Sequence, residues 1–193
     1  MISAIILAAG QSKRMGQPKM LLPWGQGTVL THVISVFQRA GVTDVIVVTG
    51  GAREQIEELL SGLNVRTVYN DEYAKSEMFS SIKCGLGALR HQMQAVLIGL
   101  GDQPQIQERS VLRVCETFQE SKSTLVVPSY QMRRGHPWLV ARPLWDEFLK
   151  MDSSQSPRDF LNAHAKEIEY VDVDNPSILQ DLDTPEDYLK FKP

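Results

Sequence analysis

The chain predicts an α/β fold on a mostly parallel sheet, with a small β-hairpin insertion in the C-terminal half. Short apolar runs rich in β-branched residues recur along it: Ile2–Leu7, Asp44–Thr49 and Ala95–Leu100. Such runs read as strands buried on both faces. Segments with apolar residues at helical spacing stand between them, and this alternation makes βαβ units and a parallel sheet. No repeat, low-complexity tract or linker interrupts the 193 residues, so 1–193 reads as one domain with a sizeable core.

The first strand breaks into Ala8, Ala9 and Gly10, residues with almost no side chain. A ligand can approach the backbone closely there, and Gly10 can take a positive φ. Lys13, Arg14 and Lys19 follow, with Gly16 and Pro18 keeping the segment out of helix. One such lysine alone would read as a solvated loop residue. A buried strand opening into small residues and three cations suits phosphate, because backbone N–H groups donate to its oxygens and the cations neutralise its charge. Gly10 and Gly16 fit neither G-x-x-x-x-G-K-[ST] nor a helix-opening G-x-G-x-x-G.

In Thr28–Ala40, Val29, Val33, Val36, Phe37 and Ala40 share a helical face, with Thr28 as N-cap and Gly41 as stop. Asp44–Thr49 is a strand ending in Gly50 and Gly51. A helix over 52–61, a short strand over 65–69, a helix over 79–89 and the strand Ala95–Leu100 follow. Val111, Val114, Cys115 and Phe118 mark another helix, and Leu125–Pro128 another strand. Gln131–Ala141 places turn residues between two extended pieces, the expected hairpin. After a polar loop over 153–157, Pro157 opens a short helix, Glu167–Val173 alternates as a half-exposed strand, and Thr184 caps a last helix with Asp187 in a capping box. The loops after Leu7, Val48 and Leu100 all leave carboxyl ends of strands, where ligands of such sheets bind.

A formal net charge of -3 argues against general nucleic-acid binding. Cys84 and Cys115 stand far apart without ligand spacing and read as small buried residues of a reduced compartment. No basic stretch precedes the first apolar run and no run approaches a membrane span, so a cytoplasmic chain without membrane contact is expected.

Asp102, in Gly101-Asp102-Gln103-Pro104, follows a buried strand. It reads equally as a helix cap or as an oxygen ligand for the hard cation that a bound triphosphate needs. Asp181 and Asp183 precede Thr184-Pro185-Glu186-Asp187, itself a good helix start. Ser80 and Ser81, in the polar stretch 76–81, can cap the helix that follows. Gly135-His136-Pro137 reads as a conformational turn, and His32, His91 and His164 as surface or helix residues without zinc spacing.

Leu7–Lys19, L-A-A-G-x-S-x-R-M-G-x-x-K, resembles the signature loop of nucleotidyltransferases that activate a phosphorylated acceptor with an NTP. It is most similar to the MobA-like branch, and within it to the molybdenum cofactor cytidylyltransferases. The resemblance implies a three-layer, doubly wound, Rossmann-like nucleotidyltransferase fold. It also implies transfer of CMP from CTP to the terminal phosphate of a molybdopterin acceptor, releasing pyrophosphate with Mg²⁺. It implies nucleotide contacts at Leu7, Ala8, Ala9, Gly10, Arg14, Lys19 and Asp102, with Arg14, Lys19 and Asp102 catalytic. Asp102 and Asp183 would hold the metal, Ser80 and Ser81 would read the base, and Gly135, His136 and Pro137 would lie toward the acceptor. Guanylyl-transferring relatives more often have glycine at the Ala9 position, which favours CTP over GTP here. A molybdoenzyme or its maturation factor would receive the product. The alternatives are a nucleotidyltransferase using GTP or acting on a sugar or polyol phosphate, and a non-catalytic nucleotide- or cofactor-binding protein.

Overall fold

In the computed structural model, which describes residues 1–74, 78–152 and 155–193, β1 (Ile2–Ala8) is buried from Ser3 onward. Two 3-10 turns, Lys13–Met15 and Lys19–Leu21, lead to a two-residue hairpin, β2 (Pro23–Trp24) and β3 (Gly27–Thr28). There follow α1 (Val29–Arg39), β4 (Asp44–Thr49), α2 (Arg53–Leu59), β5 (Arg66–Tyr69), α3 (Met78–Gly87), β6 (Ala95–Leu100) and α4 (Glu108–Ser121). The C-terminal part comprises β7 (Leu125–Tyr130), β8 (Arg133–Arg134), β9 (Trp138–Ala141), α5 (Trp145–Lys150), α6 (Pro157–Ala163), β10 (Ile168–Asp172) and α7 (Pro185–Phe191).

The strands form one mixed sheet in the order β10-β7-β9-β6-β1-β4-β5. Only β9 on this path runs against its neighbours. Leu7 pairs with Val48 on one side and Leu100 on the other, so the carboxyl ends of β4, β1 and β6 are level. The chain leaves β1 toward β4 but leaves β6 toward β7, on opposite sides. The crevice between β1 and β6 is therefore a topological switch point, where sheets of this kind hold ligands.

Side-chain alternation along β1 builds two cores. Ala4, Ile6 and Ala8 pack with Phe37, Ile56 and Val114 of α1, α2 and α4. Ile5 and Leu7 pack with Phe79 and Ile82 of α3 and with Phe148 and Phe160 of α5 and α6. Each large side chain buried here, such as Ile5, Ile6 or Phe37, contributes about 1.5–3 kcal/mol relative to exposure. A smaller cluster of Met15, Leu22, Trp24, Val29 and Leu182 ties the loop after β1 to the C-terminal segment. The caps expected at Thr28 and Thr184 are present as full capping boxes with Thr31 and Asp187.

Some local expectations differ. The hairpin over 131–141 is made by β7 and β8, which pair through a turn with Gln131 and Met132 at φ 49° and 64°. The second extended piece, β9, enters the main sheet between β6 and β7. The left-handed backbone after β1 falls on Ser12 (φ 51°) and Gly16 (φ 69°), not on Gly10. Cys84 is only half-buried, whereas Cys115 is buried. His164 is buried, its Nδ1 3.1 Å from the Phe160 carbonyl oxygen and its Nε2 3.2 Å from Glu147. Parts of the polar stretches 76–81 and 153–157, namely Ser76, Glu77, Ser153 and Ser154, lie outside the described residues. Among the described residues, no helix is long and apolar enough to cross a membrane.

Candidate active site

A cleft of about 710 Å³ opens over the carboxyl ends of β1 and β6. Leu7, Ala9 and Gly10 at the end of β1, and Ser12, Lys13, Arg14, Lys19 and Met20 of the loop after it, line this cleft. Leu100, Asp102, Asp181 and Asp183 also line it, as do Tyr73, Ala74, Met78 and Ser81. A side chain at Gly10 would meet nothing within 4 Å, so the backbone there is open to a ligand. Gly50 is needed beside Ala9, because a Cβ there would lie 2.4 Å from the Ala9 carbonyl oxygen.

The loop after β1 is held by its own polar groups. Ser12 Oγ accepts from the Lys19 backbone N–H at 3.1 Å, which closes the loop and turns Lys19 inward. The Lys19 ammonium pairs with Asp102 Oδ2 and lies 3.3 Å from Asp183 Oδ1. The Arg14 guanidinium donates to Asp183 Oδ2 at 2.9 Å. Burial alone would lower the Lys19 pKa, but the charges and hydrogen bonds of Asp102 and Asp183 outweigh it and hold the pKa above its usual value. The Lys19 side chain is only 11% exposed, so this lysine is not the solvated loop cation that its neighbourhood in sequence implies.

Asp102 and Asp183 are distant in sequence and are brought together by main-chain hydrogen bonds. Gly101 N–H donates to the Leu7 carbonyl at 2.9 Å, carrying the β1–β6 ladder one step past β6. Leu182 N–H then donates to the Asp102 carbonyl at 2.9 Å, so Asp183 follows directly beside it. Asp181 accepts from Gln103 Nε2 at 2.5 Å. Desolvation first, and the Asp102 charge second, push its carboxyl above the usual range, against that hydrogen bond.

Leu7, Ala9, Gly10, Arg14, Lys19, Ser81, Asp102 and Asp183 thus share the cleft. Ala8 does not line it: as the next residue on a strand it faces the opposite core and pairs with Thr49. Of the two serines, Ser80 does not line it either.

The resemblance places Gly135, His136 and Pro137 toward the acceptor. All three are buried and none lines the cleft. His136 N–H donates to the Ile178 carbonyl at 3.0 Å, and its ring stacks on Trp138 with centroids 4.4 Å apart. Its Nδ1 sits 3.1 Å from the Ile98 carbonyl, which can only accept, so Nδ1 carries the proton. Burial first pushes the ring pKa down to about 4, the Arg158 charge adding to it and the Ile98 hydrogen bond opposing. The tripeptide supports the turn Pro176–Leu179, which leads into Asp181 and Asp183.

Sequence reasoning missed Ser12, Gln103, Tyr73 and Asn70. Ser12 and Gln103 are adjacent to the residues singled out, in the motifs A-A-G-x-S and G-D-Q-P. Asn70 carries no motif; its only signal is its place directly after β5.

Residues 4–168 match the model of the MobA-like NTP transferase domain. The molybdenum cofactor cytidylyltransferase of Escherichia coli (strain K12) is 30% identical, over 99% of this chain and 95% of its own length. Among solved structures, Rv0371c from Mycobacterium tuberculosis H37Rv superposes with a TM-score of 0.83 at 26% identity, covering 98% of this chain and 96% of that one. A nucleotidyl transferase from Methanothermobacter thermautotroptrophicus does so with a TM-score of 0.83 at 26% identity, covering 100% and 96%. With a domain match across most of its length, this chain is a nucleotidyltransferase belonging to the MobA-like NTP transferase family.

Proposed function

We propose that the chain transfers CMP from CTP to the terminal phosphate of a molybdopterin-type acceptor carrying molybdenum. The convergence of Asp102 and Asp183 on Lys19, in a cleft lined by the loop after β1, carries this reading. The name of the relative from Escherichia coli supports the choice of base and acceptor.

In the reaction, an acceptor phosphate oxygen attacks the α-phosphorus of CTP in line. The bond between the α-phosphorus and the bridging oxygen to the β-phosphorus breaks, and pyrophosphate leaves. The protein supplies position and charge more than covalent chemistry. Backbone at Ala9 and Gly10 lies close enough to the cleft for the triphosphate to approach it. Arg14 and Lys19 exchange part of their pairing with carboxylates for phosphate oxygens and neutralise the charge that develops on pyrophosphate.

The carboxylates fit Mg²⁺. Asp102 and Asp183 are hard oxygen donors already gathered around one cationic nitrogen. Among the described residues no group of three or more His, Cys, Asp or Glu is arranged to hold a metal ion, and Mg²⁺ usually takes one or two carboxylates with water and phosphate completing its shell. When bound it would polarise the reacting phosphate and offset charge on the leaving group.

Pyrophosphate release from CTP with molybdenum-loaded molybdopterin tests the proposal. Release should require both substrates and Mg²⁺. Release with a sugar or polyol phosphate instead, or equal or better use of GTP in competition, would overturn the acceptor or the base.

A further inference from the structure

We infer that Asn70 is a positioning residue for base recognition, fixing the Ser81 hydroxyl as a hydrogen-bond donor for a base edge that carries acceptors. This rests on the nucleotide-binding reading of the cleft and adds to it a residue that does not line the cleft.

Asn70 follows β5 and is 3% exposed. Its backbone N–H donates to the Thr49 carbonyl at 3.0 Å, which extends the β4–β5 ladder and anchors the residue. Its Oδ1 accepts from the Glu72 N–H at 3.1 Å. A backbone N–H can only donate, so the amide oxygen must face Glu72 and the amide nitrogen must face α3. That nitrogen donates to Ser80 Oγ at 2.9 Å and to Ser81 Oγ at 3.0 Å. Both amide hydrogens are used.

Ser81 Oγ is therefore an acceptor toward Asn70, and its own hydrogen is left to donate elsewhere. Ser81 is buried and lines the cleft near Met78 and Tyr73. In water a serine hydroxyl donates or accepts at will. Here Asn70 occupies one of the two lone pairs and orients the hydroxyl with its hydrogen free, so a ligand edge that offers a lone pair is favoured over one that offers only donors. The O2 and N3 atoms of cytosine do so, whereas the N1–H and N2–H₂ edge of guanine presents donors and would oppose it. A buried group built to bond one pattern rejects the other because its own polar atom is left unpaired.

A purely structural Asn70 would only hold the turn between β5 and α3, and its loss would act independently of Ser81. The two roles separate in a double-mutant cycle on the full chain: wild type, Asn70→Ala, Ser81→Ala and the double variant. Dissociation constants for CTP and for GTP, each with Mg²⁺, are read by calorimetry, and thermal stability alongside. Each single variant should weaken CTP by about tenfold while GTP shifts by less than about twofold, the scale of one hydrogen bond. Asn70→Ala should cost nothing further in the Ser81→Ala background.

An undiminished effect of Asn70→Ala on the Ser81→Ala background would overturn the inference, as would equal losses for CTP and GTP. Should Asn70→Ala fail to fold, Ser81→Ala still decides: unchanged CTP binding by that variant overturns it. A wild-type chain that binds no nucleotide would overturn instead the reading on which this rests.

Discussion

Adding one methyl group at Gly135 should dislodge the segment that carries Asp183, although Gly135 itself lies outside the cleft. A Cβ at this position would sit 2.4 Å from the carbonyl oxygen of Ile178 and 2.6 Å from its Cγ1 and Cδ1. Ile178 is fully buried, so its side chain has no free volume to enter. Relief must come from the backbone, which has to withdraw by about 1 Å to restore an ordinary carbon–oxygen contact. That carbonyl accepts from His136 N–H at 3.0 Å and from Gln103 Nε2 at 3.5 Å, and both bonds would be stretched. Overpacking of this kind costs about 1–3 kcal/mol, and a strained hydrogen bond adds about 1 kcal/mol. For a chain of this size about 3 kcal/mol lowers Tm by roughly 6–12 °C. Because a misplacement of about 1 Å can cost roughly 10²-fold in rate, Gly135→Ala should also lose activity through Asp183. Thermal unfolding, with pyrophosphate release titrated against Mg²⁺, measures both. A variant within about 2 °C of wild type, with unchanged Mg²⁺ half-activation, would refute the packing argument.

Lys19→Ala should lose on the order of 10²–10³ in rate and, because the side chain is nearly buried between two carboxylates, should also lower Tm; near-normal turnover would remove Lys19 from the mechanism. Arg14→Ala should show a similar loss in rate, and Arg14→Lys only a partial recovery, since the ammonium lacks the planar fork; kcat and KM for CTP report it. Asp102→Asn should abolish metal-dependent turnover, and Asp183→Asn should reduce it with only a modest loss in Tm, because the exposed Arg14–Asp183 pair is worth no more than about 1 kcal/mol and Lys19 keeps Asp102 as its partner. An Asp183→Asn variant that loses stability yet keeps its Mg²⁺ response would make this residue a partner of α7 alone. Stability should also depend on pH through His136. His136 is held to about 4 in the folded chain against an ordinary 6.5, so the unfolded chain takes up its proton first on acidification. Its contribution is fully present above pH 6.5 and is lost as pH falls toward 4, by roughly 3 kcal/mol in all. Denaturation of wild type and His136→Asn across that range should show a shallower slope for the variant, and parallel curves would contradict the assignment.

Both the legible and the illegible parts of this molecule follow from how far apart the interacting residues lie. β1, β4 and β6 could be read because a strand buried on both faces shows its state in its own composition. Their carboxyl ends follow from chain direction alone, so Gly10, Arg14 and Asp102 could be placed on one edge without knowing the strand order. α5 could not be read in the same way: six residues after Pro143, with only Trp145 and Phe148 buried, are too few to show a period. β9 looks locally like one arm of a hairpin. Its place between β6 and β7 is decided by pairing with Ile98 and Val126, which no local pattern announces.

The same distinction governs the site. Lys19 reads as a solvated cation from its neighbours, yet its burial is imposed by Asp102 and Asp183, the latter 164 residues away. By itself Gly135-His136-Pro137 reads as a conformational turn, and only the resemblance points it toward the acceptor. In the structure Gly135 and His136 pack against Ile178, just ahead of the segment that carries Asp181 and Asp183. Asn70 is the opposite case: it has no motif, but both its amide hydrogens are assigned, and that orients Ser81 with its own hydrogen free to donate toward the cleft. Residue type thus locates the groups able to do chemistry. Which of them face the substrate, and in which hydrogen-bonding role, is decided by a few long-range main-chain bonds such as Leu182 to Asp102. Variants that shift those bonds without touching a cleft residue, Gly135→Ala foremost, are therefore the most searching test of how the site is built.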